Sequence, residues 1–200
     1  MSTGTPRLTT ASRQAEIIAA ALRLAQERSP ALITTTDLAQ AIGVSQGALF
    51  KHFDSKDAIW LAAMEWVREH LMQQIQAAAA ASAEPLEGLR KVFEAHVNFV
   101  ALHPGVPRMI FHELQQPADS PLKESVRSLM KSYRQLLLTL LKQATQAGLL
   151  APGLEAPAAA TMFVGIMQGL VMQSMLSGHV STLRAEAPRV FELYLRGIRA

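Results

Sequence analysis

Cysteine is absent from the 200 residues. That excludes disulfides, thiolate nucleophiles and cysteine-ligated zinc, and it is compatible with the reducing cytoplasm in which the protein is expected to work. The chain also lacks a Gly-rich phosphate loop and a GxSxG elbow, and its acids are scattered as solvated charge would be. His96, His103, His112 and Glu113 are suitable ligand types, but they form neither an HExxH motif nor an i, i+4 histidine pair. No metal, no cofactor and no catalytic constellation is expected, so the chain is read as not an enzyme. Its first residues, MSTGTPRLTTASRQ, carry no apolar run of the secretory kind. The longest apolar candidate, 156–175, is interrupted by Pro157, Gly165, Gln168, Gly169 and Gln173, so no membrane span is expected. Alternating strand patterns and internal repeats are missing too.

What remains is a 50% hydrophobic chain with ample material for a core, patterned for helices throughout. The expected class is all-α. A short Ser/Thr/Gly/Pro-rich tail, residues 1–10, precedes a helix beginning at Ser12, whose stripe is Ile17, Ile18, Ala21, Leu22 and Ala25. Further helices are expected over 56–80, 86–102, 106–114, 122–147, 158–176 and 182–198, the last with Pro188 as a kink or a late start. Net charge is +3, with six Lys/Arg against four acids in residues 1–56. That balance suits specific nucleic-acid contacts by a dimer rather than a polycationic coat.

Residues 34–56, TTTDLAQAIGVSQGALFKHFDSK, have the densest local signal. Leu38, Ala39 and Ile42 make one stripe of a short helix starting near Thr36-Asp37, and Gly43 ends it. Ser45 then caps a second helix over 46–53 with Leu49 and Phe53 inward. Two helices joined by a four-residue turn containing Gly make a helix-turn-helix, whose second helix enters a DNA major groove. The outward residues are small, polar or basic. Gln46 can read an adenine edge, Ser45 a base or phosphate, and Gly47 and Ala48 permit close approach. Lys51, His52 and Lys56 meet phosphates, with Thr35 and Thr36 at the start of the first helix and Arg7 in the tail within reach of the backbone or minor groove.

This segment resembles the DNA-binding domain of the TetR/AcrR family of bacterial transcriptional regulators, whose pattern runs T-x-x-x-I/L-A-x-x-A-G-V-S-x-G-x-L/I-Y-x-H-F-x-x-K-x-x-L. At the pattern's positions this chain has Thr34, Leu38-Ala39, Ile42-Gly43-Val44-Ser45, Gly47, Leu49, His52-Phe53, Lys56 and Ile59, with Ile42 and Ile59 standing for its Ala and Leu, an ordered and gap-free run over about a quarter of the chain. At the family's tyrosine position stands Phe50, which cannot give a hydroxyl to phosphate. The resemblance implies an N-terminal DNA-binding domain, 1–56, and a helical effector-binding and dimerisation domain, 57–200.

It further implies a homodimer joined through its last two helices, for which Ala159, Phe163, Ile166, Leu170, Phe191 and Leu195 are the candidates. A pocket for a small apolar effector is expected among Phe93, His96, Phe99, Met109, Phe111, His112, Tyr133, Met162, Met167 and Gln168, a mix of apolar wall and sparse polar groups. The implied function is a ligand-responsive repressor on a pseudo-palindromic operator, nucleoid-associated when bound. HPGVPRMIFHELQQP resembles regulators of efflux or detoxification operons. The alternative is a DNA-binding architectural or protein-interaction module without an effector.

Overall fold

The computed structural model describes residues 9–200, so Arg7 and most of the amino-terminal tail lie outside the described residues. Nine α-helices follow in order among them: α1 Thr10–Glu27, α2 Thr35–Ala41, α3 Gln46–Leu49, α4 Lys56–Ala80, α5 Pro85–Leu102, α6 Gly105–Leu114, α7 Pro121–Gln146, α8 Ala156–Ser177 and α9 Val180–Ile198. A 3-10 turn at Pro30–Leu32 joins α1 to α2. The one non-helical pairing among the described residues is a bridge between Leu150 and Arg199.

The chain packs as two compact units, residues up to 66 with 105–125, and 67–104 with 126–200. Helices α4 and α7 contribute to both. Residues 57–66 and 105–125, expected within the second domain, therefore pack with the helix-turn-helix. The cause is visible at Gly105, where a Cβ would lie 2.0 Å from the Leu22 carbonyl oxygen. Lacking that atom, α6 lies directly on the backbone of α1 and buries Val106, Pro107 and Met109.

Within the first unit, α1 buries Ile17, Ala20, Ala21, Leu22 and Ala25. Ala20 takes the inward place expected of Ile18, which is half-buried. Ile33, Leu38, Leu49 and Phe53 complete this core. In the second unit α5, α8 and α9 enclose an aromatic cluster: Phe93 stands edge-on to Phe163 at 5.4 Å, and Phe191 packs against Phe93 at 4.7 Å and Tyr194 at 5.6 Å. Each such ring contributes about 1.5–3 kcal/mol by leaving water. Helix α9 starts before Pro188 and runs through it.

Candidate nucleic-acid interface

Helix α2 begins one residue earlier than the sequence suggested, because Thr34 and Asp37 form a reciprocal capping box. The Thr34 hydroxyl oxygen accepts from the Asp37 N–H at 3.1 Å, and the Asp37 carboxylate accepts from the Thr34 N–H at 2.8 Å. That backbone hydrogen bond, together with the Thr34 hydroxyl and the Arg28 guanidinium, holds the Asp37 carboxyl below the usual carboxylate range. At the other end Gly43 adopts φ +69°, a left-handed turn that glycine enters without strain.

The second helix is shorter than expected. Regular α-helix spans Gln46–Leu49, and tighter turns carry the chain on to Phe53, with the His52 N–H donating to the Leu49 carbonyl at 3.0 Å. Ser45 caps it, its hydroxyl oxygen accepting from the Ala48 N–H at 3.2 Å. Leu49 and Phe53 point inward, whereas Ser45, Gln46, Gly47, Phe50 and Lys51 are exposed and Ala48 is half-buried. A Cβ at Gly47 would meet nothing, so this face is open.

One feature was not legible in the spacing. Gln46 Nε2 donates to Thr35 Oγ1 at 2.6 Å, across the turn from α3 to α2. The amide is thereby oriented, with its oxygen and second N–H left for a partner, and those are the two groups that pair with an adenine edge. Thr35 is half-buried, while Thr36 is exposed one residue on.

The basic residues divide. Lys51 is exposed, but Lys56 is half-buried and its ammonium donates to the Ala31 carbonyl at 3.2 Å. His52 is half-buried, with Nδ1 closed off from solvent, so no phosphate reaches it through that atom. Its carbonyl accepts from Gln14 Nε2 at 3.1 Å, and Arg23 of α1 donates to the Ala41 carbonyl at 3.2 Å. These braces fix α2 and α3 on α1. No periodic signal marks them in sequence.

The ten residues expected around an effector occupy different surroundings. His96 Nδ1 and Tyr133 Oη share a hydrogen bond of 3.0 Å, and burial lowers the His96 pKa to about 4 and pushes the Tyr133 phenol up. Phe93, Phe99, Tyr133 and Met167 are buried in the second unit, but Met162 and Gln168 are exposed there. Met109 is buried and Phe111 and His112 half-buried in the first unit. Met109 and His112 line a pocket of that unit, and Phe93 borders a groove between α5 and α9.

The residues expected at a dimer interface also sit differently. Ala159, Phe163, Leu170, Phe191 and Leu195 are buried within the chain itself, and Ile166 is half-buried. The uncovered apolar surface of α8 is its opposite face: Met162, Gly165, Gly169, Met172 and Leu176, at alternating steps of three and four. Leu193 of α9 is 65% exposed as well. By length and composition α8 could cross a membrane; its inward face packs on α5 and α9 as a core helix does.

Comparison with known proteins agrees with this geometry. Residues 17–63 match the family described as bacterial regulatory proteins, tetR family, and residues 66–197 match the YsiA-like protein C-terminal region. The nucleoid occlusion factor SlmA of Vibrio vulnificus is 28% identical over 133 residues, covering 66% of this chain and 68% of that protein. The fold is shared with solved structures, of which two follow. The fatty acid degradation regulator FadR from Bacillus halodurans has TM-score 0.82 at 20% identity, covering 96% of this chain and 98% of its own. FadR from Bacillus subtilis, in complex with stearoyl-CoA, has TM-score 0.79 at 22% identity over 92% of this chain and 99% of its own. With both segments matched and the helix-turn-helix presenting an open, polar second helix, the chain belongs to the tetR family of bacterial regulatory proteins and is a DNA-binding transcriptional regulator.

Proposed function

We propose that the protein is a cytoplasmic, ligand-responsive homodimeric repressor, with no enzymatic activity, in which residues 1–56 read DNA and 57–200 bind effector and partner. The Thr35–Gln46 hydrogen bond carries the DNA reading, because it sets a bidentate amide on the exposed face of α3 before any DNA is bound. Ser45, Gly47 and Ala48 bring that face close to base edges, and Thr36, Phe50, Lys51, His52 and Lys56 flank it for the sugar-phosphate backbone. The uncovered seam of α8 with Leu193 supports the homodimer, since five apolar or small residues at that spacing admit a second helix at close range. Two heads on successive major grooves, about 34–36 Å apart, then read a pseudo-palindrome. An apolar effector that binds one head separation better than another shifts the equilibrium by its differential affinity. An adjacent efflux or detoxification operon is the proposed target.

The likeness to nucleoid occlusion factors favours a second reading, a DNA-binding module that works without an effector. Fluorescence anisotropy separates the two. The intergenic DNA upstream of the gene and a scrambled duplex are titrated at two salt concentrations, and the selective complex is then challenged with apolar compounds, including stearoyl-CoA. Selective binding released by a compound establishes the repressor. Selective binding that no compound releases favours the second reading, and equal weak binding to both duplexes refutes the local operator.

A further inference from the structure

Between Thr34 and Phe53 one large apolar side chain is exposed, Phe50 at 42%, while Leu49 and Phe53 beside it take the inward places. The Phe50 N–H donates to the Gln46 carbonyl at 3.1 Å, so Phe50 stands one helical turn after Gln46 and on the same side of α3. Gly47, three residues back, completes that side and has no side chain to cover a ring. A Cβ at Gly47 would meet nothing within 4 Å, so the Phe50 ring does not fold back over the gap and stands clear of its own helix. The Gln46 amide is held by Thr35 Oγ1 on α2. The ring is therefore an uncovered hydrocarbon on a face otherwise polar or bare, and its exposure to water is a cost that an apolar partner removes.

A ring without a hydroxyl has nothing to donate to a phosphate. The apolar group that base pairs present in the major groove is the 5-methyl of thymine. Four residues of helix rise about 6 Å, close to two base steps of about 3.4 Å. We propose that the Phe50 ring reads the 5-methyl group of a thymine lying within two base pairs of the adenine that Gln46 pairs with. Phe50 is then a specificity-determining residue as well as a flank to the sugar-phosphate backbone, and each operator half-site has a second fixed base. This rests on the DNA reading proposed above for the exposed face of α3.

The test selects binding duplexes from a random library on the full-length protein. Each thymine of the selected site is then replaced in turn by deoxyuridine, which lacks the 5-methyl group and keeps the same hydrogen-bonding edge. At one thymine per half-site the replacement is expected to weaken binding about fourfold, the equivalent of the roughly 0.8 kcal/mol gained when a methyl-sized group leaves water. Phe50→Ala is expected to bind the thymine and deoxyuridine duplexes equally, and Phe50→Leu, which keeps an apolar side chain, to retain a preference for thymine. Each result is a ratio taken on one variant, so any unfolded fraction cancels. A selected site with no deoxyuridine-sensitive thymine overturns the proposal. So does a sensitivity that persists in Phe50→Ala, whatever the overall loss of affinity, since the ring would then touch only the backbone. Gln46→Ala should lose preference at an adenine within two base pairs and keep the thymine ratio; dependence on Gln46 only at a more distant position refutes the pairing of the two contacts. Failure to enrich any sequence refutes the DNA reading itself, and this proposal with it.

Discussion

Gly105→Ala is the sharpest perturbation of the first unit. A Cβ there lies 2.0 Å from the Leu22 carbonyl oxygen and 3.1 Å from the Gln26 nitrogen, where ordinary contact starts at 3.4 Å. Both neighbours belong to the backbone of α1, so neither can swing aside as a side chain would. Relief requires α6 to back away from α1 by more than an ångström. That movement strips cover from Val106 and Met109, now 3% and 1% exposed. It also breaks the bond from Arg108 Nη2 to the Gln26 carbonyl, 3.4 Å long. Overpacking a fitted contact costs about 1–3 kcal/mol, and partial exposure of two apolar side chains adds a fraction of the roughly 1.5–3 kcal/mol that each gained on burial. The expected loss is therefore about 2–4 kcal/mol in urea unfolding, with m unchanged. Gly47→Ala, whose Cβ meets nothing, serves as the control and stays within about 1 kcal/mol of the parent. A loss below about 1 kcal/mol in Gly105→Ala would refute the claim that α6 rests on the α1 backbone.

Three further outcomes are expected. Thr35→Val removes the bond that orients Gln46; with about 0.5–1.5 kcal/mol at stake, it should flatten preference at a single base pair by up to roughly tenfold. Thr35→Ser should restore that preference in a binding panel of single-base variants, and unaltered preference in Thr35→Val would show that Gln46 is not held by it. Because the folded pKa of His96 is lowered from 6.5 to about 4, the unfolded chain binds the extra proton first as pH falls. Stability should drop between pH 6.5 and 4 by at most about 3 kcal/mol, less for the solvent that reaches the ring, and His96→Gln should lose that part of the slope in urea titrations at several pH values. Gly169→Glu places a charge in the uncovered seam of α8, where a Cβ meets nothing within the chain. Sedimentation should show a folded monomer, and a dimer as tight as the parent's would rule that face out as the interface.

Local signals were readable where a short stretch of sequence closes on itself. Gly43, Ser45 and the inward Leu49 specify the turn and the second helix because each acts on residues close to it in the chain. The stripe of α4, from Ile59 through Ala63, Met64, Val67, Leu71 and Ile75, is buried as its spacing predicts. Contacts between distant segments were not readable. The Thr35–Gln46 bond and the seat of α6 on α1 depend on which backbone meets which, and no periodicity records that. Lys56 shows the same limit: its charge is plain in sequence, but its engagement with the Ala31 carbonyl is not.

Helix α8 shows why composition misassigns a face. Apolar on nearly every side, it gives no polar stripe to say which way is out, and the bulky Phe163 and Leu170 look as suitable for an interface as for a core. Packing decides between them. Phe163 stands edge-on to Phe93, Tyr133, Phe191 and Tyr194, so four rings from three other helices claim the large side chains for the interior. What is left over is the face of smallest relief, Gly165 and Gly169 flanked by flexible methionines. A surface of that kind offers little to its own chain, because no neighbour within it reaches down to the bare backbone, and much to a second helix that can. The same apolar excess that lets α8 satisfy the length and composition of a membrane span is thus divided, with the aromatic Phe163 taken into the core and a Gly- and Met-lined face left uncovered, the face that the proposed homodimer would use.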